Sequence, residues 1–255
     1  PFATYNYVEL PTQPHFPVVA GPAVLWKALL PTARACGETF RFGFKGEDKW
    51  GNPSDQVDGT FTLKANMAVA GLPASFTMKR GEAAKLIEGL SVATPGDLLI
   101  AVLDAGGKML CRSTPLRASK ETPLKSYWCD LHGQSEETIG TNSARELIEF
   151  GRDRAFLDGM SHQGNDFQIT TPFWEELNRL TAEYNNDGSF IIFPGYEWSG
   201  NTGLGGDRNV MFMHEGRQIH RSSHALVDDT TDVWSDSNSA EGLFKAMKDE
   251  DCDVL

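Results

Sequence analysis

Apolar and polar positions change their rhythm near residue 122. Before it, short apolar segments recur at close intervals: Ala23-Val24-Leu25-Trp26, Thr39-Phe40-Arg41-Phe42-Gly43-Phe44, Gly59-Thr60-Phe61-Thr62-Leu63 and Asp97-Leu98-Leu99-Ile100-Ala101-Val102-Leu103. Turn-forming residues such as Trp50-Gly51-Asn52-Pro53 and Asp104-Ala105-Gly106-Gly107 separate them. Phe40, Phe42 and Phe44 alternate with Thr39, Arg41 and Gly43, the period of a half-buried strand. The pattern predicts an N-terminal β-sandwich over residues 1–122, acting as a scaffold, with Trp50 in a packing role.

A linker around Ser119-Lys120-Glu121-Thr122-Pro123 ends that rhythm, and longer periods follow. The apolar and aromatic run Tyr127-Trp128-Cys129 reads as a buried strand leading into Asp130-Leu131-His132-Gly133-Gln134-Ser135. Ser143 with Glu146 three residues on forms a capping box, opening a helix through Leu147, Ile148 and Phe150 toward Arg154. A short strand, Phe156-Leu157-Asp158-Gly159-Met160, delivers Ser161 and His162. Pro172 starts a second helix with Phe173, Leu177, Leu180 and Tyr184 at spacings near 3.6, closed by Asn186-Asp187-Gly188. Ser189-Phe190-Ile191-Ile192-Phe193 is a continuous apolar run suited to a doubly covered parallel strand, delivering Gly195-Tyr196-Glu197-Trp198. Another strand at Arg208-Asn209-Val210-Met211-Phe212-Met213 and a helix from about Ser239 to Asp249 follow. Strand and helix alternate, so residues 123–255 are expected to form an α/β domain, the first part of a barrel-like parallel sheet. Cys252-Asp253-Val254-Leu255 looks like the opening of a further strand, so a second chain or a C-terminal continuation is expected to complete the fold.

Composition narrows the partners. The chain has 255 residues and is 40% hydrophobic, enough to bury a core. With 23 Lys+Arg against 35 Asp+Glu, its formal charge is -12, which argues against nucleic acid or an anionic membrane as the main partner. No apolar run approaches a membrane span. Cys36, Cys111, Cys129 and Cys252 show no CxxC pairing and read as mostly buried thiols, leaving a cytoplasmic or periplasmic location equally open.

Chemistry-bearing residues fall at the ends of the predicted strands. His132 and Gln134, then His162, Glu197 and Asp207, all stand at or just beyond a strand end or at the mouth of the next strand. In parallel α/β folds these ends converge, and a mixed nitrogen and oxygen donor set there suits Mn, Zn or Fe. His214, His220 and His224 sit in a polar stretch without clean metal spacing and read as surface or loop histidines.

Four motifs taken in order resemble the PHP (polymerase and histidinol phosphatase) superfamily: Asp130-Leu131-His132-Gly133-Gln134-Ser135, Ser161-His162-Gln163-Gly164-Asn165-Asp166, Gly195-Tyr196-Glu197-Trp198 and Gly206-Asp207-Arg208-Asn209-Val210. They are most similar to its uncharacterised bacterial branch, in which a β-rich region precedes the PHP-like part. The resemblance covers roughly residues 125–255. It implies a distorted (β/α)7 barrel, incomplete at the C-terminus, with two or three divalent metal ions at its mouth and a phosphoesterase-type hydrolytic reaction on an anionic small molecule. His132, His162 and Glu197 would then be the principal ligands, Gln134 and Asp207 ligands or orienting groups, and Arg208 a bidentate partner for an anionic substrate or one half of a structural ion pair. The chain departs from the superfamily pattern in carrying Gln134, Ser161 and Asp207 where His, Asp and His are usual.

Two other readings compete. Gly159-Met160-Ser161-His162-Gln163-Gly164 resembles a nucleophile elbow one residue too long, which would make Ser161 the nucleophile of a serine hydrolase. Trp128, Trp174, Trp198 and Trp234 would instead serve as platforms in a non-catalytic carbohydrate- or protein-binding module.

Overall fold

The computed structural model describes residues 12, 18–122, 124–200, 203 and 205–249. The anticipated strand at Cys252 to Leu255 lies outside them.

Among the described residues, ten strands precede the linker: β1 (Leu25–Leu29), β2 (Ala33–Ala35), β3 (Phe40–Glu47), β4 (Gly59–Ala65), β5 (Ser75–Met78), β6 (Lys85–Leu90), β7 (Gly96–Leu98), β8 (Ile100–Leu103), β9 (Met109–Arg112) and β10 (Leu116–Ser119). They form an antiparallel sheet β1-β3-β6, a four-stranded sheet β5-β4-β8-β9 and a small sheet β2-β10-β7 around one apolar core. The alternation in β3 has its predicted consequence: Phe40, Phe42 and Phe44 all point inward. Phe44 stacks on Trp26 at 5.5 Å between ring centroids and meets Phe61 at 5.1 Å and Phe76 edge-on at 5.3 Å. Trp50 does not join this cluster. It is 78% exposed on a turn that Asp48 holds through bonds accepted from the Trp50 and Asn52 backbone N–H groups.

The second region contains β11 (Cys129–Gly133), α1 (Ala144–Asp153), β12 (Gly159–His162), α2 (Thr171–Tyr184), β13 (Ile191–Phe193), β14 (Gly195–Trp198), β15 (Arg208–Met211) and α3 (Ala240–Asp249). The capping box forms at α1, where Ser143 and Glu146 satisfy each other's backbone N–H. Thr170 caps α2, with Pro172 in its first turn. Helix α1 packs on β12 so closely that a side chain at Gly151 would strike Met160 at 2.9 Å.

The sheet departs from a barrel. Among the described residues of this region only β11, β12 and β13 run parallel, in that order, and β14 pairs antiparallel with β15. Pro194 separates β13 from β14, and the chain then doubles back as a hairpin instead of crossing over through a helix. The described residues are thus a β-rich assembly of several small sheets, and the expectation of a (β/α)7 barrel is corrected. Strand β11 also differs from the buried strand anticipated at Trp128-Cys129. It is a sheet edge, exposed from Cys129 to His132 and buried only at Gly133. Cys129 is accordingly an exposed thiol, and Cys36 and Cys111 are half-buried.

The two regions are joined by the turn before β12. Phe156, at φ 61, takes a left-handed backbone conformation and is buried against Gly43, where any side chain would lie 2.8 Å from its ring. Gly43 is glycine for want of space. The Arg41 guanidinium donates to the Phe156 and Leu157 carbonyls at 3.2 and 2.6 Å and to the Asp158 carboxylate at 3.2 Å.

Candidate functional site

The ends of β11, β14 and β15 and the segment after β12 meet at one carboxylate. The isolated parallel bridge between Asn165 and Glu197 and the bond from the Glu197 N–H to the Gly164 carbonyl, 2.9 Å, bring that segment alongside β14. Alternation along β14 turns Tyr196 and Trp198 into the core, where both are fully buried, and leaves Glu197 on the opposite face. In the hairpin register Glu197 stands across from Asn209, so the two side chains share that face.

Five side chains gather here. His132 Nε2 lies 3.4 Å from Glu197 Oε2, and His132 Nδ1 lies 3.1 Å from Asn209 Oδ1. Glu197 Oε2 also accepts from the side-chain amides of Gln134 at 3.4 Å and Asn165 at 3.1 Å. Burial raises the carboxyl's affinity for a proton, and Asp207 and Asp166 raise it further against the opposing pull of His132. The local field thus favours positive charge beside Glu197.

The donor set fits a small cation in one respect. Two donors bonded at about 2.0–2.1 Å to a tetrahedral ion stand roughly 3.3–3.4 Å apart. His132 Nε2 and Glu197 Oε2 have that separation, 3.4 Å. The Gln134 and Asn165 amides can present either N–H or carbonyl oxygen to the same point by a half-turn of the terminal bond. Among the described residues no group of three or more His, Cys, Asp or Glu could hold a metal ion, so side-chain amides would have to complete such a site.

The other anticipated site residues are placed differently. His162 is buried and turned toward the helices, with Phe173 edge-on at 5.5 Å. Its Nδ1 accepts from the Gly164 N–H at 3.1 Å, which puts the proton on Nε2, 2.8 Å from Ser135 Oγ. Both nitrogens are committed within the fold, and burial lowers its pKa to about 4. His162 is therefore neutral and is not presented to Glu197. The same bond pattern disarms Ser135, because the nitrogen facing its hydroxyl already carries a proton. Asp207 is exposed beside the cluster and acts on Glu197 through its charge. Arg208 is across from Trp198, on the strand face opposite Glu197, and donates to the Asp207 carbonyl at 2.8 Å. It does not reach the cluster.

Ser161 is fully buried; its hydroxyl donates to the Phe193 carbonyl at 2.9 Å and accepts from Gln163 at 2.7 Å, which removes it as an exposed nucleophile. Of the tryptophans named as platforms, Trp174 and Trp198 are core residues, whereas Trp128 and Trp234 are exposed.

Asn165 and Asn209 complete the cluster, and each lies within a quoted motif. The signal for Asn209 was the strand period, which pairs Asn209, and not Arg208, with the face of Glu197. The loop after β15, although polar in composition, is not a surface stretch at His220 or His224. His220 is buried, and His224 is 9% exposed between Asp236 and Asp232 at 2.8 and 2.9 Å. Fully buried Arg221 donates to Asp232 at 2.7 Å and to the Ile169 carbonyl at 2.9 Å. Burial works against the charge of Asp232, but the bonds from Arg221, His224 and Thr171 outweigh it and bring its pKa to about 2.

Known relatives share only part of their length with this chain. A protein of Chlamydia pneumoniae described as uncharacterized is 22% identical over 132 residues, 51% of this chain and 21% of its own. One from Chlamydia trachomatis is 22% identical over 158 residues, 61% of this chain and 25% of its own. The chain therefore spans about a fifth to a quarter of the curated relatives it matches. Similar solved structures include a glycosyl hydrolase family 2 member from Bacteroides cellulosilyticus, at 12% identity and TM-score 0.34 over 40% of this chain and 15% of that one. The D00-D0 domain of Intimin is similar at 10% identity and TM-score 0.30 over 40% of this chain and 50% of that one. No PHP family is among the matches, and the resemblance drawn from the four motifs is corrected accordingly. The family profile that does match covers residues 81–253, more than half of the chain, and by that match the chain belongs to the family described as "Protein of unknown function (DUF3604)".

Proposed function

We propose that this chain carries the metal-binding centre of a hydrolase, with His132 and Glu197 as the protein's two strong ligands. The observation that supports it best is the 3.4 Å approach of His132 Nε2 to Glu197 Oε2 with His132 Nδ1 occupied by Asn209. With the proton on Nδ1, a nitrogen lone pair and a carboxylate oxygen face each other, an arrangement that a cation between them stabilises. Gln134 and Asn165, whose amide N–H groups donate to Glu197 Oε2, would present their amide oxygens to an ion after a half-turn of the terminal bond, and Asp207 adds negative charge at the rim. A divalent Zn, Mn or Fe ion held there would supply a water acidic enough to give a nucleophile near neutral pH. The substrate enters from the open side of β11, whose residues Asp130, Leu131 and His132 are exposed.

Isothermal titration with zinc and manganese tests the reading on the wild-type chain and on His132→Ala and Glu197→Gln. Stoichiometric binding that weakens at least 100-fold in both variants is expected, together with chelator-sensitive hydrolysis in a screen of small esters. Equal binding by wild type and variants, or none by any of them, overturns it.

A further inference from the structure

We infer that the first region positions the candidate site by fixing where β11 enters the sheet, and with it where His132 stands. The inference rests on the metal-centre reading for its purpose, but its first test needs no metal. Strand β11 is an edge with one neighbour, and that pairing is interrupted beside His132. Asp130 is across from Met160 and Gly133 across from His162, three steps on β11 against two on β12, so His132 falls in a bulge of the ladder. The pairing alone does not fix His132. Its place depends on what holds β11 on either side of the bulge.

After the bulge, the Gly133 carbonyl accepts from the Gln163 N–H at 2.7 Å. Before it, the hold comes from residues 32–41 of the first region. The Trp128 indole N–H donates to Thr32 Oγ1 at 3.2 Å, the Lys125 ammonium pairs with the Glu38 carboxylate, and the Arg34 guanidinium lies 6.0 Å from the centroid of the Tyr127 ring. Asp158 bridges the two regions: one carboxylate oxygen accepts from the Trp128 backbone N–H at 2.9 Å and the other from Arg41 at 3.2 Å. The Asp158 N–H in turn donates to the Trp128 carbonyl at 2.7 Å. Trp128 is thus held by its ring and by both of its backbone groups just before β11 begins, although the residue is 66% exposed. Each of these contacts is weak alone at the surface, but together they act on a strand with a single sheet partner. Thr32, Glu38 and Arg41 are therefore positioning residues.

Combining Thr32→Val, Glu38→Gln and Arg41→Met in one chain removes these polar holds and touches no residue of the cluster. Proton NMR without metal reads the place of His132 through its Overhauser contact with the Asn209 side-chain amide, whose oxygen is 3.1 Å from the ring. The contact is expected in the wild type and lost in the triple variant, with the Trp128 backbone N–H exchanging about 10-fold faster and zinc affinity falling about 10-fold. Trp128→Phe deletes only the indole donor, which keeps the question answerable if the triple variant does not fold. It should speed exchange at that backbone N–H and weaken zinc binding, each about 3-fold. Phe61→Ala destabilises the same region from its core, away from these contacts, and is expected to keep both the Overhauser contact and wild-type zinc affinity. The inference is overturned by a contact absent from the wild type, by a triple variant that keeps it, by a Phe61→Ala chain that loses it equally, or by native exchange in Trp128→Phe. If the triple variant loses the contact but the wild type binds no zinc, the metal-centre reading fails and the positioning role stands.

Discussion

The two regions of the chain bury different things. The strands before the linker enclose Phe42, Phe44, Met78, Leu90, Leu98, Ile100 and Val102, and their few buried polar groups, Glu47, Asp48, Ser54 and Ser113, sit at a strand end or in the connections between strands. The second region has an apolar core as well, but beside it lie Ser135, Ser161, His162, Gln163, Asp166, His220, Arg221 and Ser222, all buried. Polar groups lose hydration when buried and repay that loss only through well-made bonds, so a polar interior is a costly way to make a fold stable. Its value lies in fixing orientation. Asp166 illustrates this: burial raises its pKa, yet bonds from Ser222 and the Ser199 N–H hold it, tying the segment after β12 to the loop after β15. The candidate site is attached to the region built this way.

The sharpest test of that contrast compares one residue from each interior. Phe44→Ala leaves a cavity amid Trp26, Phe61 and Phe76 and should cost about 4 kcal/mol. Arg221→Ala leaves the Ile169 carbonyl without its Arg221 donor and Asp232 with only His224 and Thr171, and should cost about 3 kcal/mol, although no aromatic packing is lost. Urea unfolding of both variants measures this. A loss under 1 kcal/mol in Arg221→Ala would mean that the polar interior is not structural.

A smaller effect separates the regions by pH. Unfolded His162 takes up a proton below its ordinary value of 6.5, and the folded residue refuses it until about pH 4. Its contribution is therefore complete above pH 6.5 and is lost as the pH falls, by about 3 kcal/mol at pH 4. Urea midpoints at pH 7 and pH 4.5 should converge in His162→Gln compared with wild type. An unchanged acid limb in that variant would show that His162 is already hydrated in the native state.

What the sequence made legible was local. The capping box at Ser143 and Glu146, Pro172 in the first turn of α2 and the Phe40, Phe42, Phe44 alternation all act within a few residues, and each forms as expected. What it left hidden depends on which strand pairs with which. His132 and His162 look equivalent in the chain, each at a strand end, but β11 is an exposed edge and β12 is the covered centre of the same sheet. The antiparallel β14/β15 hairpin decides that Asn209 faces the site and Arg208 does not, a pairing that the alternation of strand and helix patterns does not reveal. His220 and His224 seemed to be surface residues because the acids and carbonyls that bury them come from loop geometry with no periodic signature. Short motifs fix residue types at strand ends, but they do not fix the sheet.

The contact between regions is worth less than either interior. Arg41→Met keeps the apolar stem but removes the bonds to the Phe156 and Leu157 carbonyls and to Asp158, at an expected cost of about 2 kcal/mol. Hydrogen exchange should then show faster opening at the turn before β12 than in the core of β3. Uniform acceleration across both regions would mean that they open as one unit.

The smallest effect expected concerns Trp50, and it tests whether the first region depends on anything outside its own core. The ring is 78% exposed, with Lys49 Nζ 4.8 Å from its centroid. A surface cation–π pair contributes about 0.5 kcal/mol. The turn owes its shape to Asp48, which is almost fully buried and accepts from the Gly21, Trp50 and Asn52 backbone N–H groups at 3.0, 2.8 and 3.0 Å. None of those bonds involves the Trp50 side chain. Trp50→Ser should therefore change the urea midpoint by no more than about 0.5 kcal/mol, whereas Asp48→Ala, which leaves three backbone donors unpaired, should cost several times as much. If Trp50→Ser instead costs 2 kcal/mol or more, the ring is covered in solution, and the first region is not closed by its own sheets.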